Sequence, residues 1–296
     1  MATKRVLNFL WLNLDLPALA DPEDGTIRQP LPPKYIETVR KSARAHPTTD
    51  VVLWVDSKRL TGRQMEFLRK SIETNRSNAK VKDLRTIPAY DQDELYNEPE
   101  TNAEWRSCGQ SSLIWRQVDA AKVLISLQGD YDQAFFSDLD HAHFGVTSPK
   151  VQAMLKKHGL MIGSYSDSGD LSIENQLWGF QRRRRDFFNA YYGEALVEAH
   201  NGNNAWSKLV SKVELELVRN ESIPLAEICL PIAADGTKAE QPGHESRDGY
   251  NRSTPSTISN VDLTRMFNAR SRRRDRPVSK SACKKAPVVA KKFEAA

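Results

Sequence analysis

Apolar positions in this chain fall into short dense runs, separated by longer stretches with helical spacing. Arg5 to Asp15, RVLNFLWLNLD, is an apolar run with Trp11 near its end and predicts a first strand. Leu31-Pro32-Pro33 and a helix from Lys34 to Ala45 follow, and His46-Pro47 closes that helix. Val51 to Asp56, VVLWVD, predicts a second strand, buried on both faces, because a continuous apolar run suits a parallel sheet. Thr61 is placed to cap a helix reaching Arg76, and Val81 to Ile87 predicts a third strand. Ser111 to Leu127 repeats Ile114, Val118, Ala121 and Ile125 at helical spacing, with no Gly or Pro to break it. Arg116, Asp119 and Lys122 form a polar stripe on this mostly buried helix. Unpaired buried charge is costly, so the stripe either pairs internally or faces a polar ligand. Gly129 ends the helix, and a short turn leads to the next strand. Strands alternating with helices predict βαβ units and an α/β sheet covered on both faces.

That next strand carries the candidate chemistry. In Phe135-Phe136-Ser137-Asp138-Leu139-Asp140, apolar residues lead into two aspartates one residue apart. Side chains of an extended strand alternate faces, so Asp138 and Asp140 are expected to point the same way. Two carboxylates on one side make a hard oxygen site for Mg²⁺ or Mn²⁺. Such a cation can hold a diphosphate and stabilise it as a leaving group. A strand ending in a solvated acidic turn is the plainer alternative.

The ordered set of a first strand ending in Trp, Leu-Pro and a helix, a second strand LWVD, a helix with an Asp, and a hydrophobic D-x-D strand resembles a known family. It is similar to glycosyltransferases of the GT-A fold that carry a DXD sugar-nucleotide motif, over roughly residues 4 to 180. The large clostridial toxin glucosyltransferase domains and the fungal initiation-specific mannosyltransferases look most alike. The resemblance implies a GT-A-like nucleotide-sugar-binding sheet flanked by helices, and sugar transfer from a UDP- or GDP-sugar to a protein or glycan acceptor, with retention. It also implies roles. Trp11 would stack on the base, Asp119 would hold ribose or sugar hydroxyls, and Asp138 and Asp140 would bind Mn²⁺ or Mg²⁺. Lys122 stands where the family usually has Arg, and with Arg116 would offset charge on the leaving diphosphate. Asn175 is a further candidate for a sugar or acceptor contact, in a segment Glu174-Asn175-Gln176 expected to open a long helix through Trp178, Phe187, Phe188 and Tyr191. A flexible C-terminal segment often closes over the donor in such enzymes; Pro242 to Ser253 is placed to do so, and His244 to add a metal ligand. The chain departs from the family at Gly129-Asp130-Tyr131-Asp132, where Gly-Gly is usual.

Two other functions compete. FFSDLDHAHF also resembles the first motif of haloacid-dehalogenase-type phosphatases, and Tyr165 to Gln176 resembles their late acidic motif. His141-Ala142 fits that motif poorly, and the nucleophile strand of that fold usually comes first. A non-catalytic nucleotide-sugar-binding module is the third class. His141 and His143 are metal-ligand candidates of Zn type or plain loop residues. The run Arg182 to Arg185 is expected to be a solvated face.

Charge divides the chain unevenly. Its 296 residues carry a net +5, whereas residues 265–296 hold eleven Lys/Arg and two Asp/Glu, a balance of +9 that leaves −4 for the remainder. Nucleic-acid binding is therefore not expected as the main function of the acidic folded part. The expected organisation is a GT-A-like catalytic domain over 1–235, a loop or lid over 236–264, and a basic disordered tail over 265–296 with possible anionic-membrane or nucleic-acid contact. Cys108, Cys229 and Cys283 have no metal spacing and suit a reducing compartment or an unimportant set of thiols. Asn8, Asn13 and Asp15 interrupt the only leader-like stretch, and no apolar run is long enough to span a membrane. The expected location is cytoplasmic, or secreted without a cleaved signal peptide.

Overall fold

The computed structural model describes residues 3–12, 29–74, 77–97, 113–140, 145–167, 170–203 and 205–231. Seven strands form one sheet in the order β3-β2-β1-β4-β6-β5-β7. They are β1 (Arg5–Trp11), β2 (Thr49–Val55), β3 (Ala79–Asp83), β4 (Gln133–Ser137), β5 (Leu160–Asp167), β6 (Asp170–Gln181) and β7 (Cys229–Pro231). β1 runs parallel to both β2 and β4, and β2 parallel to β3. β6 lies antiparallel to β4 and β5, and β7 pairs parallel to β5.

Both faces of the sheet are covered, so the strands are apolar on both sides. Along β1, Val6 and Leu10 join one core and Leu7 and Phe9 the other. β2 divides likewise, with Val52 and Trp54 against Val51, Leu53 and Val55. The helices that cover these faces are α1 (Pro33–Ala45), α2 (Gly62–Ile72), the single turn α3 (Pro88–Asp91), α4 (Leu113–Ser126), α5 (Pro149–His158), α6 (Arg185–His200), α7 (Trp206–Lys212) and the short α8 (Leu225–Ile228). α1, α2 and α5 supply one core, and α4, α6 and α7 the other. Thr61 caps α2 as expected: its hydroxyl accepts from Gln64 N, and the Gln64 side chain accepts from Thr61 N. Gly129 takes φ 80° after α4, a left-handed turn that suits glycine.

Several boundaries move. α2 ends at Ile72, short of Arg76, and β3 ends at Asp83, where residues 84–86 turn into a 3₁₀ helix capped by the Asp83 carboxylate. A larger correction concerns Glu174-Asn175-Gln176. These residues open no helix; they lie in β6, and helix resumes only at Arg185. β6 is clamped between β4 and β5, so its buried residues follow no simple alternation, and Leu177, Trp178, Gly179 and Phe180 are all buried. The run of four arginines is exposed at Arg182 and Arg183, as expected of a solvated face, and half-buried at Arg184 and Arg185, but its guanidinium groups are tied down. Arg183 donates to the carbonyls of Leu155, Lys156 and Lys157, and Arg184 to that of His158, at the C-terminus of α5. Arg184 also grips Glu221 with two hydrogen bonds, and Arg185 reaches the carbonyls of Leu127 and Gly129 just past α4. Arg183, Arg184 and Arg185 thus serve carbonyls at or just past helix ends, and Arg182 pairs with Asp130 and Asp132.

The topology marks a location. From β1 the chain steps outward through α1 to β2 and through α2 to β3, then returns to place β4 on β1's other side. The crevice between β1 and β4 at their carboxyl ends is a topological switch point, where α/β sheets bind ligands. Trp11 ends β1 there, and Asp138 directly follows β4.

Candidate functional site

β4 stops at Ser137. Asp138 N–H donates to the carbonyl of Gln176 on β6 at 2.8 Å, and Leu139 and Asp140 are already in a turn. Strand alternation therefore does not set the direction of Asp140, which corrects the expectation for the pair. Asp138 is nevertheless placed by the strand, and its side chain is 25% exposed. The polar stripe of α4 meets it from behind. Lys122 Nζ lies 3.0 Å from Asp138 Oδ1 and 3.1 Å from Oδ2. The same ammonium sits 5.4 Å from the centre of the Phe136 ring. Burial pushes the Lys122 pKa down, but Asp138 and Asp119, with a smaller effect from Asp140, outweigh it and hold the group above its ordinary value.

Asp119, one helical turn before Lys122, accepts a hydrogen bond from Asn175 Nδ2 at 2.7 Å. Asn175 comes from a three-residue interruption in the β5–β6 pairing, where Ile162 faces Trp178 and Gly163 faces Glu174. The irregularity carries residues 175–177 past their β5 partners and brings the amide to α4. Burial pushes the Asp119 carboxyl up to about 6; Lys122 and the Asn175 hydrogen bond pull against this, and the negative charge of Asp138 adds to it. Asp119, Lys122, Asn175 and Asp138 thus form one cluster, as the stripe on α4 suggested.

Arg116 is turned elsewhere. It donates to the carbonyl of Ala199, in the last turn of α6. The structure thus gives this arginine a helix-end partner, where a diphosphate contact was expected. Trp11 is half-buried; its indole N–H donates to Pro30 O at 2.9 Å, and its ring tilts against Tyr35 with centroids 5.4 Å apart. His141, His143 and His244 lie outside the described residues. Among the described residues no group of three or more His, Cys, Asp and Glu is placed to hold a metal ion. A carboxylate such as that of Asp138 is a hard oxygen donor, of a kind that suits a cation completing its shell with water and phosphate oxygens. The Lys122 contact does not exhaust Asp138, because an ionised carboxylate offers about four lone-pair sites.

Two positioning features were missed. Asn8, 1% exposed inside the apolar β1, donates to Phe135 O at 3.0 Å and accepts from Trp54 Nε1 at 2.9 Å. It ties β2 to β4 across β1, just below the crevice, and a lone Asn in RVLNFLW was its only signal. Asp56, at the carboxyl end of β2, has a fully buried side chain. Arg85 donates to both its oxygens at 2.8 and 2.7 Å, and Tyr90 Oη donates to it at 3.0 Å. Arg59 completes the enclosure, so this carboxylate anchors the strand end and is closed to a ligand.

No family model matches the chain, and no curated protein matches it. Solved structures of similar fold include one described as "PaToxG Glycosyltransferase", at 15% identity and TM-score 0.46, covering 74% of this chain and 72% of that one. The galactosyltransferase LgtC, in complex with donor and acceptor sugar analogs, is 10% identical at TM-score 0.37, covering 67% of this chain and 66% of its own. Mouse xyloside xylosyltransferase 1, in its apo form, is 11% identical at TM-score 0.39, covering 77% of this chain and 84% of its own. These neighbours are glycosyltransferases; likeness of this degree says nothing of donor, metal or acceptor. Among the described residues no helix is long and apolar enough to cross a membrane.

Proposed function

We propose that this chain is a glycosyltransferase that moves a sugar from a nucleotide-diphosphate donor to a protein or glycan acceptor with the help of a divalent cation. The observation that carries this is the position of Asp138, partly exposed at the carboxyl end of β4 beside the β1–β4 switch point, with Lys122, Asp119 and Asn175 gathered behind it. Asp138 and Asp140 would hold Mn²⁺ or Mg²⁺, which when bound supplies charge against the leaving diphosphate. Lys122 orients Asp138 and brings a second positive charge to the same place. Asn175 fixes the Asp119 carboxyl, leaving it to accept from donor hydroxyls. Trp11, braced by Pro30 and Tyr35, offers an aromatic surface to the base.

The phosphatase alternative gains nothing from the geometry: its late acidic motif forms the β5–β6 hairpin, with Asp167 opposite Asp170 as the terminal pair. A thermal-shift panel of UDP- and GDP-sugars, each with and without Mn²⁺, tests the proposal. A rise in melting temperature that needs both donor and metal is the expected result. Phosphate release from simple phosphomonoesters with no response to any nucleotide sugar would sink it. Donor binding with no turnover, even with metal, would reduce the protein to a binding module.

A further inference from the structure

We infer that Lys122 is a built-in counter-cation for Asp138, holding the divalent cation's place there and making metal binding conditional on an anionic diphosphate. This deepens the donor proposal and rests on it. The ammonium is nearly equidistant from the two carboxylate oxygens, at 3.0 and 3.1 Å, so it straddles the group. The lysine side chain is 6% exposed and that of Asp138 25%, so the lysine approaches from inside the protein and a ligand would approach from outside. A desolvated ammonium and a divalent cation on the same two oxygens repel each other strongly, because little water screens them. Each therefore weakens the other's hold on Asp138.

A nucleoside diphosphate changes that balance in two ways. Its oxygens add ligands for the cation, and its negative charge gives the ammonium a second partner. Metal and diphosphate are then expected to bind together far better than metal alone. Lysine suits the task better than arginine would, since its charge is compact and its stem flexible, whereas a guanidinium fork would lock onto the carboxylate. The ammonium also answers Asp119 and Asp140 as well as Asp138, so removing it leaves three carboxylates without the cation they share. Lys122→Met removes the charge and keeps most of the apolar stem.

The test is Mn²⁺ binding to the full chain, followed by electron paramagnetic resonance without nucleotide, with circular dichroism melts on the same samples. Lys122→Met should bind Mn²⁺ at least roughly tenfold more tightly than the wild type, equivalent to about 1.4 kcal/mol. Lys122→Arg should stay at or below wild-type affinity. A second measurement needs no variant: saturating UDP or GDP should tighten wild-type Mn²⁺ binding by at least about tenfold. Equal or weaker binding by folded Lys122→Met overturns the inference and leaves the donor proposal standing. Wild-type Mn²⁺ affinity on the order of micromolar without nucleotide does the same. Failure of every form to bind Mn²⁺, with or without UDP or GDP, removes the donor proposal itself and the inference with it.

Discussion

Burial holds the Asp119 carboxyl at a pKa of about 6, against 3.8 for the free group. Between those values the folded protein keeps a proton that the unfolded chain has released. Stability from this group is therefore present in acid and falls as pH rises through about 6, by about 3 kcal/mol at most. Asp119→Asn keeps a group that can accept from Asn175 and removes the charge. Its melting temperature relative to wild type should rise from about pH 4 and level off above about pH 6; parallel curves would place the pKa elsewhere. Asp138→Asn and Asp140→Asn should each abolish metal-dependent donor binding in calorimetry, and Asp138→Asn should also lower the melting temperature, because it removes the nearest charge partner of the buried Lys122. Wild-type transfer rates in both variants would remove the pair from the site. Trp11→Ala tests the base contact. Loss of a stacked ring should weaken donor about ten- to a hundredfold, from roughly 1–3 kcal/mol per stacked base. Since Trp11 also packs on Tyr35, stability will drop too, and the deciding measurement is donor affinity of the folded fraction.

β6 and the arginines after it show how an element's surroundings override its local pattern. Gly179 is buried in β6 because a Cβ there would sit 2.3 Å from Phe135 Cδ1, so the glycine lets β4 and β6 close over the core. Gly179→Ala should cost about 1–3 kcal/mol of stability by overpacking, read as a lower urea midpoint. Arg183→Ala and Arg184→Ala should each cost about 1 kcal/mol, since each removes donors from the carbonyls ending α5. Neither should alter donor affinity; a selective loss of donor binding would return the arginine run to the list of ligand contacts.

The sheet as a whole gives the site its location. Two parallel strands, β2 and β3, step one way from β1 and β4 returns on the other side, so the two chain segments carrying Trp11 and Asp138 end side by side. The seven strands of the described residues are in place by Pro231, and residues 265–296, with their balance of +9, lie outside the described residues. Deleting 265–296 should leave thermal unfolding and transfer to a small acceptor unchanged. It should weaken binding to anionic vesicles or nucleic acid, and the wild-type binding should fall with added salt. Loss of folded protein on deletion would make the segment structural.

The alternation of dense apolar runs with helical spacing was enough for the first three strands, α1, α2, α4 and β4, because each buries its own face in a way that local pattern reports. The α4 stripe was readable for the same reason: Asp119 and Lys122 are polar where the helix is buried, and buried charge implies partners. Which partners they find was decided by long-range pairing. Asn175 reaches Asp119 only through the irregular register of β5 and β6, and Arg116 meets Ala199 only because α6 ends beside α4. Arg116 and Lys122 flank Asp119 on the same polar stripe, about 120° apart round the helix, and only the neighbours packed on each side decide which of them meets Asp138. β6 read as the start of a helix because a strand buried on both faces loses its period of two, and its neighbours β4 and β5 are set by topology alone. The direction of Asp140 likewise depends on where β4 stops, and that is fixed by the hydrogen bond from Asp138 to Gln176 across the sheet.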